Sequence, residues 1–243
     1  MYKVLAIPGF SLDTFSDVEI ELRGTHTHRE RIMAKQLGKG VLIAFEGIDG
    51  AGKTTQAMLV REWLSDMGYD VIVFKEPTKG KWGQKIREIV EYGRHGISAR
   101  EELDLFVNDR KENVEQNIRP ALEAQKVVLM DRYYFSTIAY QGASGIDPEE
   151  IRQINEKFAP PPDLVLLLDL SPRLGLSRIH EGRDGKLTQF EKEEYLRDVR
   201  TVFNSLELPY IQRVDSARSQ EDVFRDIQNI LPDLLKPLEL PNN

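Results

Sequence analysis

One octapeptide constrains this chain more than any other feature: Gly47-Ile48-Asp49-Gly50-Ala51-Gly52-Lys53-Thr54 has the spacing G-x-x-x-x-G-K-[ST]. A polyphosphate needs a ring of backbone N–H donors, and a chain wraps that tightly only where glycine removes the Cβ. Such a loop belongs between a strand and a helix. VLIAFE before it reads as a buried strand, and KTTQAMLVREWL after it reads as a helix. The pattern therefore predicts a nucleoside-triphosphate site. Lys53 sits at the helix start with its ammonium near the β and γ phosphates, and Thr54 offers its hydroxyl to Mg2+. Residues 47–54, with Thr55 behind them, are the expected nucleotide contacts.

The rest of the chain supplies a sheet for this loop. Apolar runs at 41–45, 70–74, 126–130, 163–168 and 210–214 are mostly continuous (VVLM, LVLLL), as in strands buried on both faces. Helical periodicity fills the gaps, at 53–66, 84–92, 100–125, 149–158, 172–179, 190–205 and 220–235. Alternating strand and helix predicts an α/β fold, a three-layer sandwich with a five-stranded parallel sheet flanked by helices. Glu46, Glu76, Asp131, Asp169 and Asp215 each fall where an apolar run ends. Open parallel sheets bind ligands beyond the carboxyl ends of their strands, so these acids mark the working edge.

Composition narrows the classes. With no cysteine, disulfide frameworks, thiolate metal sites and cysteine nucleophiles are excluded. A net charge of −7 argues against a protein that chiefly grips nucleic acid, while permitting a small anion in a locally basic cleft. No apolar run approaches the ~18 residues of a membrane span. MYKVLAIPGF carries neither a cationic leader nor a cleavage site, which sets a cytoplasmic expectation. Residues 1–40 fit the α/β scheme poorly and are expected to form an N-terminal extension, with the catalytic domain at 41–236 and a tail at 237–243. His26 and His28 are too few ligands for a metal site. Met33 opens the segment MAKQLGKG just before the first strand.

A phosphate loop alone does not separate a GTPase, a motor ATPase and a small-molecule kinase. The other strand ends carry more. Asp131-Arg132-Tyr133 closes the third apolar run, with Asp131 placed to hold magnesium or its water and Arg132 pointing into the cleft. Arg132, Ser136 and Tyr140 are spaced four apart and are expected on one helix face. Phe106 and Arg110 share another face, where a ring could stack on a base and a guanidinium fork onto a phosphate.

Taken in order, FEGIDGAGKTTQ, KEP at 75–77, LFVNDRKENVEQNIRPAL at 105–122, DRYYFSTIAYQG at 131–142, LDLSPRLGLSRI at 168–179 and VDSARSQEDV at 214–223 resemble the thymidylate kinase family. The resemblance implies transfer of the ATP γ-phosphoryl group to dTMP, commonly by a homodimer. It implies that Phe106 stacks on thymine, that Arg110 and Arg132 hold the acceptor phosphate, and that Asp49 lies near the 3′-hydroxyl. Ser136, Thr137 and Tyr140 would line the base and the sugar, with Glu76 and Gln141 completing the acceptor site. Some relatives carry an arginine inside the phosphate loop where this chain has Gly50. The other class supplies it from a mobile lid, here about 178–189, with Arg178, Arg183 and Lys186 available and Arg183 the expected catalytic cation.

The chain departs from the pattern in having Lys75 where an arginine often precedes Glu-Pro, and Thr78-Lys79-Gly80 after it. Two other readings remain open at this point. One is a deoxynucleoside or other small-acceptor kinase on the same fold, and the other is an ATP-driven switch protein.

Overall fold

The computed structural model describes residues 34–92, 96–182 and 193–241. β1 (Val41–Glu46) is buried along its whole length and leads through the phosphate loop into α1 (Lys53–Asp66). There follow β2 (Val71–Lys75), α2 (Lys81–Tyr92), α3 (Ala99–Asn113), α4 (Arg119–Glu123) and β3 (Val127–Asp131). α5 (Tyr134–Ala143), α6 (Pro148–Glu156), β4 (Leu164–Asp169), α7 (Pro172–Gly182), α8 (Glu193–Ser205), β5 (Ile211–Asp215) and α9 (Gln220–Leu235) complete the chain.

The five strands form one parallel sheet in the order β2-β3-β1-β4-β5. β1 and β3 are buried at every position, which is why their sequences run apolar without alternation. The edge strands β2 and β5 are half-exposed, and their sequences are correspondingly more mixed. Phe45 pairs with Asp131, so the phosphate loop and Asp131 leave the sheet side by side. From β1 the chain moves out to β2, returns to β3, and only then crosses to β4 on the other side of β1. That reversal opens the crevice in which such sheets bind ligands. Helices flank the sheet, with α1 packed on α9 and α5 on α6 and α8.

Three local outcomes differ from the sequence reading. The segment 100–125 is not one regular helix: a π-helical stretch, Val114–Ile118, separates α3 from α4. It lies on the turn preceding Pro120, whose ring and missing N–H disturb the normal hydrogen-bond ladder. α2 begins at Lys81 rather than at 84, and so takes in Gly83, a poor helix former. A Cβ on Gly83 would stand 1.9 Å from the Thr78 carbonyl oxygen. The flanks of the domain also pack with it. Gly38 N–H donates to Leu238 O and Leu240 N–H to Gln36 O, each at 2.8 Å, joining the segment before β1 to the short 3-10 turn Lys236–Leu238. Residues 1–33, including both histidines and Met33, lie outside the described residues.

Candidate active site

The phosphate loop closes around its own lysine. Lys53 is 6% exposed, and its ammonium donates to Gly47 O at 3.0 Å and Ile48 O at 2.7 Å. Burial, and then the Arg132 guanidinium, push this ammonium down to about 7, against the pull of Asp49, Asp131 and Glu46. An anion in the loop would favour its charged form. Gly50 has φ of 80°, and a Cβ there would stand 2.4 Å from Gly175 O in the first turns of α7. The loop position that carries arginine in some relatives therefore has no room for a side chain. Arg178, one turn beyond Gly175, reaches back over this contact, with 3.4 Å to Gly50 O and 3.4 Å to Arg218 O.

At the mouth of the loop, Thr54 Oγ1 donates to Asp131 Oδ2 at 2.5 Å. Lys75 Nζ stands 2.9 Å from the same carboxylate oxygen and donates to Thr54 Oγ1 at 3.1 Å. Burial works against the Asp131 carboxylate, but Lys75, then Lys53 and the Thr54 hydrogen bond, hold it below the usual carboxylate range. This pair fits Mg2+. The ion typically takes one or two protein oxygens and completes its shell with substrate phosphates and water. Among the described residues no group of three or more acidic or histidine side chains could cage a metal by itself. Sequence reading noted Lys75 only as a departure; its neighbours here lie on two other elements.

The acceptor side is built on α5, whose residues face two ways. Arg132 precedes the helix rather than extending it, with φ of 72°, yet its guanidinium still reaches the face that carries Ser136 and Tyr140. Nη1 donates to Ser136 Oγ at 2.9 Å, Nη2 pairs with Asp49, and the guanidinium carbon lies 5.3 Å from the centre of the Tyr140 ring. The Tyr140 hydroxyl donates to the other Asp49 oxygen at 3.0 Å. Although burial opposes it, the Arg132 charge, then Lys53 and the Tyr140 bond, hold the Asp49 carboxyl at about 2.

Thr137 and Gln141 form the second row, one residue further round the helix. Thr137 Oγ1 accepts from Arg110 Nη2 at 3.0 Å. Arg110 is 1% exposed and also engages Glu76 (Nε at 2.8 Å, Nη2 at 2.6 Å) and Asn155 Oδ1 at 2.7 Å. Glu76 in turn accepts from Asn113 Nδ2 at 3.0 Å, and burial raises its carboxyl pKa despite Arg110. The resemblance set Arg110 beside Arg132 on one phosphate. Their protein partners differ: Arg132 bonds to loop residues, whereas Arg110's charge is matched by a buried carboxylate. Phe106 lines the same cleft. So does Gln141, 1% exposed, whose carboxamide nitrogen and oxygen both lack a protein partner.

Two clefts meet here. The donor cleft runs from the phosphate loop past Lys75, Arg178 and the segment Ser216–Gln220, and the acceptor cleft runs from α2 to α5; Asp49 and Arg132 line both. Sequence reasoning did not single out Arg218 and Ser219 on the donor side or Arg87 on the acceptor side. Arg87 is tethered by Thr78 O at 2.7 Å. Glu46, noted only as a strand-end acid, is fully buried between β1 and α5. Arg183 and Lys186 lie outside the described residues.

Comparison with known proteins gives the family. The family model described as thymidylate kinase matches residues 45–227. A thymidylate kinase of Desulfotalea psychrophila is 49% identical over 197 residues, covering 81% of this chain and 96% of that protein. A probable thymidylate kinase of Archaeoglobus fulgidus is 47% identical over 80% of this chain and 96% of its own length. One from Akkermansia muciniphila is 45% identical over 79% and 92% respectively. With the matched region running from the end of β1 into α9 and including both clefts, the chain belongs to the thymidylate kinase family.

Proposed function

We propose that this chain is an ATP-dependent kinase that moves the γ-phosphoryl group to dTMP, giving dTDP and ADP. The observation that carries the reading is the junction of the two clefts at Asp49 and Arg132. A nucleotide with its phosphates in the loop and a monophosphate anchored on Arg132 would face each other across that junction.

A phosphate monoester is largely dianionic at neutral pH, so the attacking oxygen needs little help from a base. The work is positioning and charge neutralisation. Lys53 and the backbone N–H groups of the loop hold the donor phosphates. Thr54 and Asp131 would hold magnesium, which would supply Lewis-acid neutralisation of the donor phosphate oxygens. Arg132 turns its guanidinium from Asp49 toward the acceptor phosphate. Asp49 keeps the Tyr140 hydroxyl fixed at the sugar edge, where the ring would crowd a 2′-hydroxyl.

At the far end, thymine offers carbonyl acceptors and one N–H donor. The Gln141 carboxamide, with a donor and an acceptor and neither one satisfied by protein, complements that edge. Arg110, neutralised by Glu76, suits a carbonyl better than a dianion. Phe106 provides the stacking face. A lid cation, Arg183, completes the charge around the transferring group, with Arg178 already beside the loop. The homodimer and cytoplasmic setting that the family suggests are part of the same proposal; no described helix is long and apolar enough to cross a membrane.

The test is ADP release from ATP–Mg2+ with dTMP, dUMP, dCMP, AMP and thymidine offered singly. The expected order is a large response to dTMP, a weaker one to dUMP and none to thymidine. A response to thymidine or AMP in place of dTMP would discard the acceptor roles, and silence with every acceptor would favour a switch protein.

A further inference from the structure

Glu46 is the most buried acid beside the site, and none of the steps above uses it. It ends β1, is 0% exposed, and spends both carboxylate oxygens on α5. Oε1 accepts from the backbone N–H of Tyr133 at 2.7 Å and of Ser136 at 3.2 Å. Oε2 accepts from the Ser136 hydroxyl at 2.5 Å. α5 has no cap from its own N-cap residue, Tyr133. A carboxylate from a different strand therefore does that work, and its negative charge suits a helix N-terminus.

The same contacts bracket Arg132. Its backbone is left-handed, a conformation that costs a non-glycine residue about 1–2 kcal/mol and persists only where its surroundings impose it. On one side Arg132 N–H donates to Phe45 O at 3.1 Å; on the other, the N–H of Tyr133 is held by Glu46. The side chain is held as well, because the Ser136 hydroxyl that donates to Glu46 accepts from Arg132 Nη1. Glu46 thus grips both ends of one residue, through a backbone bond and through a hydroxyl relay. Burial pushes its carboxyl up to about 7, against the Ser136 hydrogen bond and the Arg132 charge, so ionising this acid is costly unless those partners are in place.

We propose that Glu46 is a positioning residue that aims the Arg132 guanidinium at the acceptor's phosphate through the Ser136 hydroxyl. This rests on the reading that Arg132 receives that phosphate. A cap alone would serve folding and leave acceptor kinetics untouched.

The discriminating variant is Glu46→Gln. Its amide oxygen can still accept both α5 N–H groups, but its NH2 would donate to the Ser136 hydroxyl, which reverses that bond, frees the hydroxyl proton to turn toward Arg132 and spares the cap. Expected are a fall in kcat/KM for dTMP of at least about tenfold, KM for ATP within about twofold, and an unchanged far-UV CD spectrum. Ser136→Ala, which deletes the relay and leaves Glu46 on the backbone, should reproduce the acceptor defect.

The same two substitutions are then made in an Arg132→Ala background, itself expected to be at least about a hundredfold slower. There each should have less than about a twofold further effect, in turnover and in dTMP affinity by calorimetry, since the residue they act through is gone. Full additivity in that background, a defect confined to KM for ATP, or no defect in either variant overturns the proposal. Near-normal turnover of Arg132→Ala at saturating dTMP overturns the underlying reading instead.

Discussion

Gly50→Ala isolates how tightly the phosphate loop is pressed against α7. Gly50 has φ of 80°, a left-handed backbone that costs an L-residue about 1–2 kcal/mol. The new Cβ would also stand 2.4 Å from Gly175 O and 2.7 Å from Gly175 Cα, both backbone atoms that cannot rotate aside. Overpacking of that kind costs about 1–3 kcal/mol, so the total is about 2–5 kcal/mol. Gly145→Ala is the matched control. Its φ is 96°, with nothing within 4 Å of the added carbon, so it carries the backbone cost alone. Equilibrium urea unfolding can be followed by the fluorescence of Trp63 on α1 and Trp82 on α2. With a slope near ~2 kcal/mol/M, the Gly50→Ala midpoint should lie about 0.5–1.5 M below that of Gly145→Ala. ADP affinity should fall only in Gly50→Ala. Coincident midpoints would mean that α7 yields freely, and the steric reason given for the missing loop arginine would fail.

Two further outcomes follow from buried groups. Gln141→Leu should raise KM for dTMP at least about tenfold, as loss of two hydrogen bonds to a buried base edge does. It should leave unfolding stability equal or up to about 2 kcal/mol higher, because it removes an amide that has no protein partner. An unchanged KM would take Gln141 out of base recognition. Glu46 makes stability depend on pH. Its pKa is raised from 4.5 to about 7 on folding, so between those values the native state holds the proton more tightly than the unfolded chain. Its contribution is complete below about pH 4.5 and declines as pH rises to about 7, by roughly 3 kcal/mol in all. Urea midpoints at pH 5 and pH 8 should therefore differ less in Glu46→Gln than in the wild type, and equal differences would contradict the raised value.

How far the sequence could be read followed from how local each feature is. The phosphate loop was legible because its chemistry needs contiguous backbone, so eight successive residues carry it. The central strands were legible because burial on both faces leaves no polar alternation in Val127–Asp131 or Leu164–Asp169. Helix edges were less so. Gly83 is a poor helix former by propensity, and only the Thr78 carbonyl pressing on it shows why glycine is there.

The two arginines mark the limit. Spacing correctly grouped Arg132 with Ser136 and Tyr140, and Phe106 with Arg110, but spacing does not name a counter-ion. Asp49, from the loop, meets Arg132 and leaves its charge at the cleft junction; Glu76, 34 residues before Arg110, meets it in the interior. A guanidinium paired in the interior is already neutralised and can offer a ligand a directed N–H, whereas one paired at the junction can exchange its partner for an incoming anion. On the proposed reading, that difference separates the arginine that reads the base from the one that receives the phosphate, and it is set by the partner that folding brings to each.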